Sequence, residues 1–282
     1  MSESTSLFSS DRRHNLFTAV KYLTYALLSF NVYVFLAEEL LAVEHTFSDG
    51  VAPGQIIQAF SASIDTAAWV ILLLLFELET SVLDDSRIRG WVKWALHGIR
   101  GICYLAIGYA FTGYLSELKM MTSVTQMAGV DYCALVAQDW SLLLDLDDYM
   151  PLDADNCVGL AAEAFRIDGL NIVADPDVLR GAQYLAWVDV INSGAWILVV
   201  IVLENEVRLQ LRGNLSAQII YSTRYVKYTL YGILFGAAAY WGVKGSFIDF
   251  WDASLWLFAF IFIELNVFEW QNETRQQTKA GA

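Results

Sequence analysis

Apolar residues in this chain are gathered into six long runs, at residues 16–42, 56–82, 91–115, 183–204, 226–243 and 250–270. A hydrocarbon core about 30 Å thick needs roughly 20 apolar residues per helical crossing, so each run is long enough to span a bilayer. In lipid every backbone N–H and C=O must be satisfied within the protein, which leaves only helices and closed barrels. Barrel strands alternate polar and apolar residues, and these runs do not. The expected fold is an all-α integral membrane protein. With 56% apolar residues among 282, the composition stands above the roughly 45–50% of soluble domains.

The polar start MSESTSLFSSDRRHN leads into a first run too long for a signal-peptide core, with no small-residue cleavage site after it. It reads as a retained helix. Orientation follows from Lys and Arg, which favour the cytoplasmic side. With the N-terminus inside, all but Lys119, Arg166, Arg180 and Lys244 of the 17 fall on or near that side. Six crossings then return residues 271–282 to the compartment of residues 1–15. The expected address is a cytoplasmic (inner) membrane, with the lipid bilayer as the first partner.

The net charge of −14 is therefore lopsided, because most of the 31 carboxylates lie on the outer side. A solvated acidic surface is the simplest reading, although such a face also draws cations or a basic partner. Nucleic acid is not expected, since no basic stripe is present. Cys133 and Cys157 share one outer segment, and a disulfide between them would stabilise it by about 3 kcal/mol in an oxidising compartment. Cys103 sits within the third run.

The runs also repeat. Odd runs open with Val20-Lys21-Tyr22, Val92-Lys93-Trp94 and Val226-Lys227-Tyr228. Each even run carries Asp or Asn, then Trp four residues later, then Glu eight residues after the Trp. The members are Asp65–Trp69–Glu77, Asn192–Trp196–Glu204 and Asp252–Trp256–Glu264, followed two residues on by Glu79, Glu206 and Asn266. Three related hairpins are implied, at residues 16–84, 90–207 and 218–270, arranged as a pseudo-threefold bundle. At 1.5 Å per residue the Asp/Asn layer lies about 6 Å outward of the Trp layer, and the first Glu layer about 12 Å inward. At 100° per residue Asp65 and Glu79 are about 40° apart on their helix, and Asp65 and Glu77 about 120°. A polar axis would therefore take Glu79, Glu206 and Asn266 together with Asp65, Asn192 and Asp252. Glu77, Glu204 and Glu264 would turn toward Lys21, Lys93 and Lys227 and lock the hairpins together.

The repeat is broken in two places. The second hairpin holds an insertion, residues 118–182, expected as a small extracytoplasmic cap with an acidic run at 145–155 and an amphipathic stretch from 158 to 173. The third run carries a stripe of Lys93, His97 and Arg100 on one face that the other odd runs lack. A charge inside a bilayer is costly and often functional, so Arg100 should find a carboxylate, and Asp189 needs explanation as well. The three prolines, Pro53, Pro151 and Pro176, lie outside the runs, so broken helices are not signalled.

No phosphate-binding loop, zinc-protease helix, nucleophile elbow or calcium loop occurs. His14, His45 and His97 are too few for a histidine-rich metal centre, and neither a cofactor nor an enzymatic constellation is apparent. Two functions remain. A channel or transporter would carry an ion or small solute along the charged path in the bundle. Alternatively, a structural or anchoring subunit of a membrane complex would bind its partner through the acidic cap.

Overall fold

A computed structural model describes the backbone of residues 3–47, 50–79, 90–160, 163–211 and 217–280. The side chains described are those of the same residues apart from 3–14, 207, 210, 211, 217, 220 and 264–280. The fold is mostly helical: α1 (Glu3–Thr46), α2 (Ile56–Ala59), α3 (Ser61–Glu77), α4 (Trp91–Thr122), α5 (Pro176–Leu211), α6 (Ala217–Lys244) and α7 (Phe247–Ala280). Two segments, Asn15–Thr46 and Pro176–Glu206, are long and apolar enough to cross a membrane. A third qualifies if the bent pair Pro53–Ala59 and Ser61–Glu77 is taken as one span.

The long helices close into a ring in chain order. Helix α1 packs on α3, α3 on α4, α4 on α5, α5 on α6, α6 on α7, and α7 returns to α1. Large apolar side chains cover the outside, with Leu105 76% exposed and Ile102 and Phe235 each 67%. An exposed apolar surface of this extent suits lipid rather than water.

Helix starts follow local chemistry. Pro176 opens α5, where a missing N–H costs nothing. The Ser246 hydroxyl accepts from the Asp249 N–H at 3.1 Å and donates to the Asp249 carboxylate at 2.8 Å, a side-chain cap for α7.

The second apolar run does break, although no proline lies within it. At Phe60 the backbone leaves helical geometry, and the segment Pro53–Ala59 is bent 76° from α3. The carboxylate of Glu39 on α1 accepts from the freed N–H groups of Ala62 (2.7 Å) and Ser63 (3.2 Å). An anion at a helix N-terminus satisfies both the orphan donors and the dipole. Gly113 of α4 makes room for the bend. A Cβ there would lie 2.6 Å from the Ile57 carbonyl oxygen and 2.7 Å from Ser61 Cβ. The break is thus built from tertiary partners that proline counting does not detect.

The all-α expectation needs correction in the cap. Between α4 and α5 runs a five-stranded sheet of β1 (Val124–Gln126), β2 (Ser141–Leu143), β3 (Tyr149–Pro151), β4 (Phe165–Ile167) and β5 (Ile172–Ala174). Its order is β1-β4-β5-β2-β3, antiparallel except for the β2–β5 pair. The stretch read as amphipathic supplies β4 and β5, whose Ile167, Ile172, Val173 and Ala174 are fully buried. Cys133 and Cys157 form the expected disulfide, with Cα atoms 5.1 Å apart. One apolar cluster joins Leu143, Ile167 and Ile172 of the cap to Met121 of α4, Leu185 of α5 and Trp241 of α6. The cap is therefore fused to the bundle through shared core.

Candidate functional site

Aspartate and tryptophan four residues apart share a helix face, and the ring turns that face of α3, α5 and α7 inward. The Trp69 and Trp196 rings lie 6.3 Å apart, and Trp69 and Trp256 6.4 Å apart. Phe260 packs against Trp196 with ring centroids 4.4 Å apart and planes tilted by 42°. These rings floor a cavity of about 550 Å³ that reaches up to the cap. Inward of the floor the packing is apolar, with Leu28, Leu73, Val199, Leu234 and Ala259 buried together.

Above the floor the walls are acidic. Glu38, Glu39 and Glu44 come from α1, Asp65 from α3, Glu117 from α4, Asp189 from α5, and Asp249 and Asp252 from α7. The cap adds Asp145, Asp147 and Asp148. Among the described residues that line it there is no lysine or arginine, and His45 is the one histidine. Its ring stacks on Tyr149 at 5.8 Å and its Nδ1 lies 2.9 Å from the Ser141 hydroxyl, so the end of α1 is tied to the cap.

Asp65 lies deepest of the acids with an unused acceptor. It is 8% exposed, and its Oδ2 accepts from the Tyr114 hydroxyl at 3.4 Å. Its Oδ1 has no hydrogen-bond partner, and the Trp69 indole one turn on approaches only at looser geometry. Buried polar atoms are nearly always satisfied, so an orphaned oxygen on a carboxylate that lines a cavity asks for a donor. Asp252 accepts from Asn31 Nδ2 at 2.7 Å. Asn192 also lines the cavity.

Near the cap the carboxyl groups crowd one another. Glu117 is hydrogen-bonded to Asp147, and burial, then repulsion by Asp147, Asp189 and Glu39, raises its pKa well above the ordinary value. Burial, followed by repulsion from Asp249, Glu39, Glu38 and Asp145, raises Asp147 to about 8. Neighbouring carboxyl groups cannot both ionise cheaply, so each disfavours the charged form of the other. Among the described residues, no three His, Cys, Asp or Glu side chains gather closely enough to hold a metal ion.

The glutamate layers lie elsewhere, and none of their described members lines the cavity. Glu77 turns back to α1, where Lys21 Nζ lies at 2.6 Å and the hydroxyls of Tyr22 and Tyr25 donate at 3.1 and 3.4 Å. Glu204 likewise turns to α4, accepting from the Tyr104 hydroxyl at 3.0 Å, and pairs with Arg208 at 3.4 Å. Glu79 reaches forward to Arg100 of α4 at 2.6 Å, and Glu206 forward to Lys227 of α6 at 3.1 Å. The Glu-x-Glu pattern is thus a two-sided stitch, one residue joining the preceding helix and the other the next. One expectation changes: Glu79 and Glu206 do not share the Asp65 surface, and Lys227 has Glu206 as an ion-pair partner. Lys93 and His97 are exposed, with His97 Nδ1 2.9 Å from the Lys93 carbonyl. Glu264 and Asn266 lie outside the described side chains.

Sequence reasoning did not find Glu39, Tyr114, Glu117, Trp241 or the folding of residues 145–149 over the bundle. A usable signal existed for Glu117, an acid three residues past Tyr114 on the same face near the C-terminal end of its helix. No family model, no characterised protein and no solved structure matches this chain.

Proposed function

We propose that this is a six-span protein of a cytoplasmic membrane, built of three hairpins with the cap outside, that admits cations to an outward-facing vestibule and passes them across the bilayer. The observation that carries the reading is the cavity wall, acidic from cap to floor and without Lys or Arg among the described residues, with Asp65 Oδ1 unpartnered near its base. A cavity lined by one sign of charge with low-dielectric walls focuses field and concentrates counter-ions. Its volume falls within the range of about 300–1,000 Å³ usual for small-ligand sites.

The tryptophan floor and the apolar layer beneath it form the barrier. Passage requires Trp69, Trp196 and Trp256 to part, which suits a rocking or gated bundle. The ion pairs Lys21–Glu77, Arg100–Glu79 and Lys227–Glu206 hold neighbouring helices together away from the cavity. In liposomes, the protein should carry cation flux under a potential, and Asp65→Asn should lower it at least tenfold while the protein remains folded. Equal flux through the wild type and Asp65→Asn would remove Asp65 from the path. No flux of any cation would overturn the transport reading.

A further inference from the structure

Resting on the reading that the cavity takes cations, we infer that its ligand is an organic polyammonium ion, an alkyl chain bearing two or more protonated amines. The observation is a ladder of separated carboxylates standing over a floor of indole rings.

Size is the first argument. At about 30 Å³ of liquid volume per water, 550 Å³ would hold about 18 waters. A dehydrated metal ion needs far less, and it needs several oxygens converging on one point at about 2–2.6 Å. Among the described residues no such convergence exists. The carboxylates are instead spread by height. On α7, Asp252 stands four residues outward of Trp256 and Asp249 seven, about 6 and 10 Å above the floor. On α5, Asp189 stands about 10 Å above Trp196 by the same rise, and Asp147 of the cap adds a further contact at the mouth. One compact charge satisfies a single rung, whereas a linear polyamine satisfies several.

The walls give the second argument. Trp69, Trp196, Trp241, Trp256 and Tyr114 interleave with the acids. Hydrated inorganic ions gain little from such rings, but ammonium groups are attracted to aromatic faces and methylene chains to their apolar surface. The deepest rung also has the right vacancy in its bonding. Asp65 lines the cavity and is more than nine-tenths buried with Oδ1 unpartnered, an acceptor left open for an N–H donor. Glu39 is committed to the α3 N-terminus, Asp249 to Ser246 and Asp252 to Asn31, so Asp65 on the inner rung and Asp189 on the next are the acids placed to hold successive amines.

The test is calorimetric titration of the full-length protein in lipid nanodiscs with spermidine, putrescine, tetramethylammonium, K⁺ and Mg²⁺. Spermidine should bind with 1:1 stoichiometry and at least tenfold more tightly than Mg²⁺, K⁺ or tetramethylammonium. Asp65→Asn and Asp189→Asn should each weaken it at least tenfold, Trp69→Leu severalfold, and the exposed cap variant Asp155→Asn not at all. Melting curves with and without spermidine show whether each variant is folded, and a folded Asp189→Asn suffices if Asp65→Asn is not. Mg²⁺, K⁺ or tetramethylammonium binding as tightly as spermidine would overturn the polyammonium inference and leave the cation cavity standing. Binding of none of the five would overturn both. Spermidine affinity unchanged in a folded Asp65→Asn or Asp189→Asn would overturn the assignment to this cavity.

Discussion

Replacing Lys21 by methionine separates a stitch from a path. The Lys21 ammonium and Glu77 carboxylate sit 2.6 Å apart, with side chains 10% and 6% exposed. At an effective dielectric constant of 20 the gross attraction is about 6 kcal/mol. The cost of taking both ions out of water offsets much of this, so the pair adds little compared with an apolar replacement of both partners. Removing lysine alone is different, because it strands a buried carboxylate. Breaking a buried pair this way costs about 3–5 kcal/mol. The hydroxyls of Tyr22 and Tyr25 still donate to Glu77, which argues for the lower end, about 3 kcal/mol. Scaled to a chain of this size, Lys21→Met should lower the melting temperature by about 5 °C. Lys21→Met/Glu77→Met should recover to within about 1 kcal/mol of the wild type. Cation flux through the double variant should be retained, since neither residue lines the cavity. Single-mutant losses that simply add in the double variant would refute the account of a dependent buried pair. Loss of flux in a folded double variant would return Glu77 to the path.

Three further outcomes follow from the geometry. Gly113→Val should destabilise by about 2–3 kcal/mol, because its Cβ meets the backbone oxygen of Ile57 as well as Ser61. Gly98→Val, where a Cβ meets nothing within 4 Å, should be near neutral in the same melting assay. Reducing the Cys133–Cys157 bridge, or replacing both cysteines by serine, should cost about 3 kcal/mol and raise hydrogen exchange in the cap while leaving α1 protected. The pH dependence has a definite sign. With Asp147 raised to about 8 and Glu117 raised as well, the folded cavity holds more protons than the unfolded chain between about pH 4 and pH 8. This contribution is fully present below the ordinary aspartate pKa and is lost as pH rises through about 8. Stability should therefore fall across that window, Asp147→Asn should flatten the slope, and added cation should restore stability at the alkaline end. Stability that rises from pH 5 to pH 8 and steepens in Asp147→Asn would contradict this.

The inner surface of the ring was legible where one helix fixes it. Asp65 and Trp69 are one turn apart, as are Asn192 and Trp196, and Asp252 and Trp256, so a repeated pattern was enough to mark a shared surface, now seen as the cavity floor and the rung above it. Arg100 was legible for a similar reason, since a charge at that depth requires a carboxylate, and Glu79 supplies it. Partner choice across helices was not legible. Glu204 and Glu206 point about 160° apart at 100° per residue, and which one meets Lys227 depends on how α5 and α6 pack. Strands of three residues are too short to carry an alternation signal, so the cap sheet was hidden behind its acidic composition. The bend at Phe60 was hidden because its causes, Glu39 and Gly113, lie 21 and 53 positions away from it in sequence.

The central claim is that Asp65 lies at the base of a cation site open to the outer face. A membrane-impermeant carboxyl-directed carbodiimide with an amine tag, applied to the cap side of sealed vesicles and followed by peptide mapping, measures this directly. Asp65 should be labelled, and spermidine should protect it in proportion to occupancy, while Glu77 and Glu79 stay unlabelled throughout. An Asp65 that is never labelled, or is labelled equally with and without cation, would contradict it.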